Sequence, residues 1–199
     1  MDNRSILQIP RARVGLLFSG GLDSTAALAL LRAEGHDVTL IEVEHASRPQ
    51  GERAAATSIA AHFTSPRIVV RMDFVPPLSP ASPRPAALLL ASIAEHAAKA
   101  LTLRDIVIAT IREDWETHGE PEAGGYYLST VQRLLRLHSS EPVRLHMPFR
   151  ELSKAQLAKS AALIGAPLYL SWSCIGADET RCGSCAPCLE AKAAINAAS

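Results

Sequence analysis

A short apolar run, then a glycine pair, then a helix-forming stretch constrains this chain more than any other feature. Val14 to Phe18 reads Val-Gly-Leu-Leu-Phe between turn-formers, as a buried strand does. Ser19-Gly20-Gly21-Leu22-Asp23-Ser24 follows, and Ser24 to Leu31 is rich in helix formers, with Gly35 as the stop. The alternation then repeats. Strands are predicted over Asp37–Glu44, Arg67–Phe74, Asp105–Thr110 and Val143–Phe149. Helices are predicted over Gln50–Phe63, Ala86–Leu101, Tyr126–His138 and Ser153–Ile164. Pro76 to Pro85 carries five prolines in ten residues and reads as a loop. Ile111 to Gly125, with Glu113, Asp114, Glu116, Glu120 and Glu122, reads as a second, long polar loop.

Strands alternating with helices predict an α/β fold, a Rossmann-like parallel sheet with helices on both faces. Its 199 residues suffice for one continuous core. With aromatics at only 5%, that core must be built from Ala, Leu, Ile and Val. Ligands of such sheets bind beyond the carboxyl ends of the strands. The Ser19–Ser24 turn, the segment after Glu44 and the acidic loop after Thr110 should open on that edge. We expect residues 1–172 to form this domain and residues 173–199 a small metal-binding segment packed on it.

The formal charge is zero, with 20 basic and 20 acidic residues, which argues against nucleic acid as the main partner. No run of about 18 apolar residues suggests a membrane span. The start lacks the basic-then-apolar pattern of a signal peptide, so a cytoplasmic protein is expected.

Two adjacent glycines let the backbone take positive φ and bring N–H groups together. The helix that starts near Asp23 adds its own unbonded N–H groups and a partial positive charge. With hydroxyls from Ser19, Ser24 and Thr25, the turn is an anion nest suited to a phosphate or pyrophosphate. It lacks the Gly-Lys-Ser/Thr of a Walker A loop and the Gly-x-Gly-x-x-Gly of a dinucleotide site. On composition alone it also suits an ordinary strand-to-helix turn capped by Asp23 or Ser24.

All four cysteines fall between Cys174 and Cys188, as Cys174-x7-Cys182-x2-Cys185-x2-Cys188. In a reducing compartment this clustering points to a metal rather than to disulfides. Four thiolates can close a tetrahedron around zinc (Zn2+) at about 2.3 Å per bond, leaving no open position, so the ion would be structural. Free thiols, a redox pair, an iron–sulfur cluster and a nucleic-acid zinc knuckle are the other readings of this spacing. The neutral Leu189-Glu190-Ala191-Lys192-Ala193 that follows speaks against the last.

Ser-Gly-Gly-Leu-Asp-Ser after an apolar strand resembles the signature of the PP-loop, or N-type ATP pyrophosphatase, superfamily. That resemblance implies ATP held by Ser19, Gly20, Gly21, Leu22, Asp23, Ser24 and Thr25, with Asp23 linked to magnesium (Mg2+) and the phosphates. It also implies cleavage of ATP between the α and β phosphates. Combined with the cysteine cluster and the order Pro148-Phe149, Ser153-Lys154-Ala155, Ile164-Gly165-Ala166-Pro167, Ser171-Trp172-Ser173-Cys174, the chain resembles the 7-cyano-7-deazaguanine synthase family. The family resemblance implies 7-carboxy-7-deazaguanine as substrate, adenylated by ATP and then attacked by ammonia to give an amide and finally a nitrile. It further implies Lys154 near the phosphates as a catalytic residue, Glu44 and His45 beside adenine, Arg48 as a family arginine, and a homodimer. Where family members carry a Val-Pro-Gly-Arg-Asn-like stretch, this chain has Ala81-Ser82-Pro83-Arg84-Pro85, and only Arg84 corresponds.

Other functions fit parts of the pattern. A synthase-like ligase would pass the activated acyl group to another amine, such as one on a protein. A tRNA-thiolating PP-loop enzyme would need a basic surface and a second cysteine pair, which the sequence lacks. A non-catalytic nucleotide-binding partner subunit would keep the turn and the metal without turnover.

Overall fold

The computed structural model describes residues 7, 9–10, 12–46, 48–72, 87–116, 123–138, 141–176 and 180–198. The proline-rich stretch 76–85 with Arg84, and Glu120 and Glu122, lie outside the described residues. Strand β1 (Arg13–Leu17) leads into helix α1 (Leu22–Ala33), then β2 (Asp37–His45), α2 (Gln50–His62), β3 (Arg67–Met72), α3 (Ala87–Ala100) and β4 (Asp105–Ile108). After these come α4 (Glu113–Glu116), α5 (Ala123–His138), β5 (Arg144–His146), α6 (Lys154–Ala162), a 3-10 turn at Leu168–Leu170 and α7 (Ala186–Ala198).

The strands form one sheet in the order β3-β2-β1-β4-β5, and every neighbouring pair is parallel. The α/β fold is therefore as expected. Alternation along the strands sends side chains to two cores. Val14, Leu16, Val38, Leu40 and Val107 meet α1, α2, α6 and α7 on one face. Leu17, Ile106, Ile108 and Leu145 meet α3 and α5 on the other. Alanines at Ala26, Ala56, Ala94 and Ala158 let helix backbones lie close to the sheet, which is how so few aromatics suffice.

The sequence of helices fixes where the strand order reverses. From β1 the chain runs outward through α1 to β2 and through α2 to β3. It then crosses by α3 to β4 on the far side of β1. The carboxyl ends of β1 and β4 consequently frame the topological switch point. At the opposite end, the buried Asp105 carboxylate accepts two hydrogen bonds from Arg144, at 2.8 and 2.7 Å, and contacts His146 Nε2 at 2.7 Å. Burial alone would raise the Asp105 pKa, but Arg144 and His146 outweigh it and hold the carboxyl below its usual range. This group clips edge strand β5 to β4.

Several expectations need correction. The stretch after Thr110 is not one long loop. Asp114 Oδ2 accepts the Ile111 N–H at 3.0 Å and closes a turn that starts α4, so charge content hid a short helix. Helix α5 starts at Ala123 rather than Tyr126; Gly124 and Gly125, poor helix formers, hid its first turn in the sequence. Strand β4 stops at Ile108, and β5 covers only Arg144–His146, since its sole sheet neighbour is itself short. The tail after Cys185, unassigned by the sequence reading, is helix α7; Pro187 in its first turn costs no helical hydrogen bond. No helix among the described residues is long and apolar enough to cross a membrane.

Candidate active site and metal centre

The glycine-rich turn joins β1 to α1 at the switch point. Gly20 has φ of +87°, and a Cβ there would lie 2.7 Å from Ala56 N, so α2 backbone and loop touch with no room for a side chain. Gly21 is the N-cap of α1, and its carbonyl accepts Thr25 N at 3.0 Å, Thr25 Oγ1 at 2.8 Å and Ser24 Oγ at 3.1 Å. Ser19 Oγ accepts the Gly21 N–H at 3.1 Å and lies 3.3 Å from Ser24 Oγ. Since Thr25 N–H makes the first helical bond, the N–H groups of Leu22 and Ser24 precede the intrahelical ladder, and such a helix start can accept an anion.

Arg48 holds this loop from behind. It is 4% exposed; Nη2 donates to the Ser19 carbonyl at 2.5 Å, Nη1 to Glu42 at 2.9 Å and Nε to Glu52 at 3.0 Å. Burial would lower its pKa, but hydrogen bonding to Glu42 and the Glu52 charge raise it, so the guanidinium stays charged. Glu42 also pairs with Arg67 at 3.0 Å, and Glu44 with Arg53 at 2.6 Å. Removing one partner of the buried Arg48–Glu42 pair should cost about 3–5 kcal/mol. Arg48 thus faces inward, beneath the loop. His45, at the end of β2, gives its carbonyl to Arg48 N at 3.1 Å and Arg53 Nη2 at 3.3 Å, and burial lowers its pKa.

Lys154, the first residue of α6, sits across from the turn. Its Nζ is 2.9 Å from Glu190 Oε2 and 4.0 Å from Asp23 Oδ2. Burial alone would lower its pKa, but the charges of Asp23, Glu190 and Asp114 outweigh that and raise it. Three devices fix the start of α6. Gln156 N–H donates to Ser153 Oγ at 3.2 Å, Ser153 N–H donates to Gln156 Oε1 at 2.8 Å, and the Glu113 carboxylate accepts the Lys154 N–H at 3.0 Å. Glu113 therefore acts on α6, while Glu190 is a neighbour of Lys154 that sequence reasoning missed. The clue was its position two residues after Cys188, on a tail left without a helix.

The four cysteine Sγ atoms lie within 4.8 Å of one another. Cys174 and Cys182 sulfurs are 3.6 Å apart, and those of Cys182 and Cys188 are 4.0 Å apart. Thiolates on one tetrahedral ion at about 2.3 Å stand about 3.8 Å from each other, so the donor set fits a metal. Cys185 N–H donates to Cys182 Sγ, and Gly176 and Cys182 N–H to Cys174 Sγ, each at 3.4 Å. Backbone hydrogen bonds from Ser184 and Cys185 bring the Cys182 thiol down to about 6, while burial pushes Cys188 up to about 12. Crowded thiols of this kind share charge that a cation would neutralise.

Trp172, noted in the sequence only within the Ser171–Cys174 segment, links the two centres. Its N–H donates to the Gly20 carbonyl at 2.9 Å and its Nε1–H to the Cys174 carbonyl at 2.8 Å. A Cβ on Gly51 would meet the Trp172 ring at 2.3 Å, so α2 packs flat on the indole. Arg181 lies over the same ring at 5.5 Å and donates to the Ser171 carbonyl.

The family model described as "Queuosine biosynthesis protein QueC" matches residues 13–83 and 82–199. The chain belongs to this family. It is 29% identical to a 7-cyano-7-deazaguanine synthase of Saccharolobus solfataricus, covering 98% of this chain but 48% of that protein, so it spans about half the relative's length. A synthase of Thermoplasma acidophilum is 25% identical, with 90% of this chain and 85% of the relative covered. That of Rhizorhabdus wittichii is 29% identical, covering 88% and 87%. Among solved structures, the U34-tRNA thiolase NcsA from Methanococcus maripaludis with its [4Fe-4S] cluster superposes with a TM-score of 0.60 at 13% identity, over 98% of this chain and 67% of that one. NMN synthetase from Francisella tularensis superposes at 0.51 and 11% identity, over 94% and 85%. At these identities the structural likenesses show the shared fold alone.

Proposed function

We propose that this QueC-family chain adenylates the carboxylate of 7-carboxy-7-deazaguanine and converts it, with ammonia and further ATP, to 7-cyano-7-deazaguanine. The observation that carries the reading is the meeting of the glycine turn, Asp23 and Lys154 at the switch point, in a chain whose relatives are named as synthases of that nitrile.

Ser19, Gly20, Gly21, Leu22, Ser24 and Thr25 would take the pyrophosphate part of ATP, with the helix start supplying N–H donors. Asp23 would hold Mg2+ together with phosphate oxygens; one or two carboxylates plus substrate phosphates is the usual set for this ion. Lys154, already charged and set by Asp23 and Glu190, would stabilise the negative charge that builds at the α phosphate. The end of β2 at Glu44 and His45 would border the adenine. Arg48 would act indirectly, by fixing the Ser19 carbonyl and so the loop. Zn2+ would occupy the four cysteines as a structural ion that anchors Trp172 and α7.

A carboxylate oxygen attacks the α phosphorus, the α–β bridge breaks and pyrophosphate leaves. Ammonia then adds to the acyl carbon and loses a proton, and AMP departs with the former carboxylate oxygen. A second adenylation, on the amide oxygen, followed by loss of AMP and two protons, gives the nitrile. The protein's part is chiefly positioning and charge neutralisation. Incubation with ATP, Mg2+, ammonia and 7-carboxy-7-deazaguanine should give the nitrile, AMP and pyrophosphate by mass spectrometry. AMP release with no amide or nitrile would point instead to transfer of the acyl group to a different amine.

A further inference from the structure

Three buried side-chain atoms near the carboxyl edge have no hydrogen-bond partner among the described residues: Thr110 Oγ1, Trp115 Nε1 and Tyr127 Oη. Thr110 lies in the connection from β4 to α4, Trp115 on α4, and Tyr127 on the first turns of α5. The Trp115 and Tyr127 rings are 5.4 Å apart, tilted by 38°. Both pack on the same core cluster as Leu17 and Ile108, which face each other in register at the ends of β1 and β4. The glycine turn begins two residues beyond Leu17. On its other side α4 is tied to the phosphate site: Glu113 accepts the Lys154 N–H, and Asp114 adds to the charge felt by Lys154. The aromatic pair and the phosphate turn therefore border one switch point from its two faces.

A buried polar atom left unbonded costs about 1–3 kcal/mol, and native proteins seldom leave three in one place without a use for them. Their chemistry is specific. Indole Nε1–H can only donate. Burial pushes the Tyr127 phenol up to about 12, so it keeps its proton at neutral pH and can donate as well. What completes this group must offer hydrogen-bond acceptors and a flat face for the two rings. Resting on the function proposed above, we infer that Thr110, Trp115 and Tyr127 receive the planar heteroaromatic body of the carboxylate acceptor. Trp115 Nε1–H and Tyr127 O–H donate to its ring carbonyl or ring nitrogen atoms, which leaves the carboxylate directed toward the phosphate turn.

Trp115→Phe and Tyr127→Phe test this, since each keeps a ring and removes one donor. Calorimetry on the full chain would use 7-carboxy-7-deazaguanine, a panel of other planar heteroaromatic carboxylates, and α,β-methylene-ATP, which resists cleavage at the α–β bridge. Each variant should weaken acid binding by about tenfold or more, yet bind the ATP analogue within about twofold of the parent. Tyr127→Phe should melt no lower than the parent, because it removes little more than an unpartnered atom. The inference is overturned if the variants bind the acid normally, if the loss falls on the ATP analogue, or if the parent binds none of the acids. A drop in the Tm of Tyr127→Phe beyond about 5 °C would also overturn it, by showing that this hydroxyl already serves the fold. If the parent takes a different acid and the variants lose it, the pocket stands and the 7-carboxy-7-deazaguanine assignment falls. If the parent makes the nitrile and the variants bind its precursor unchanged, the reverse holds.

Discussion

Asp23→Ala should lower AMP formation by about 100-fold or more and leave the melting temperature almost unchanged. Removing one preorganised charge from a site of developing negative charge costs about 2.7–4 kcal/mol in other enzymes, a factor of about 10² to 10³. Here the loss would be compound, since the same carboxylate would help hold Mg2+ and lies 4.0 Å from the Lys154 ammonium. The fold has little at stake. Asp23 stands in the first turn of α1 with about a quarter of its side chain exposed, where an acidic residue contributes about 0.3–1 kcal/mol through the helix dipole. Chromatographic assay of AMP beside a thermal melt would separate the two effects. Turnover equal to the parent's would remove Asp23 from the chemistry.

Cys185→Ser should have the largest effect on stability. Binding of a structural metal by four thiolates is folding free energy, with apparent values of about 10–16 kcal/mol for zinc in small domains. Loss of one ligand should forfeit several kcal/mol, and each kcal/mol is worth about 2–4 °C in a chain of this size. We expect metal content well below one ion per chain and a Tm lower by about 10 °C or more. The damage should also reach the nucleotide. Trp172 hydrogen-bonds to both Gly20 and Cys174, and α7 carries Cys188 together with Glu190, the partner of Lys154. ATP affinity should fall through these links, although Cys185 itself is assigned to the metal. A full complement of metal by elemental analysis, with a normal melt, would contradict this.

How much of this was legible beforehand varies with the physics involved. The glycine turn could be read as a turn because paired glycines after an apolar strand favour positive φ, and Gly20 does take it against α2. The cysteines could be read because ligand spacing is local in sequence. Arg48 was legible as a residue but not in its orientation. Glu42, Glu52 and the Ser19 carbonyl capture it from three different elements, which no local pattern encodes. Glu190 and Trp172 owe their positions to contacts between α6 and α7 and between α2 and the tail, which no local pattern encodes. Helix α4 was hidden because its four residues are largely charged and depend on one side-chain bond, Asp114 to Ile111 N–H.

The central claim is that a carboxylate oxygen of the substrate attacks the α phosphorus of ATP, and oxygen tracing tests it most directly. 7-Carboxy-7-deazaguanine labelled with ¹⁸O in its carboxylate would be turned over with unlabelled ATP and ammonia in unlabelled water, and the nucleotide analysed by mass spectrometry. Attack by the carboxylate places ¹⁸O in the AMP phosphate, because the bridging oxygen leaves with AMP, and none in pyrophosphate. Unlabelled AMP, or ADP in place of AMP, would contradict it.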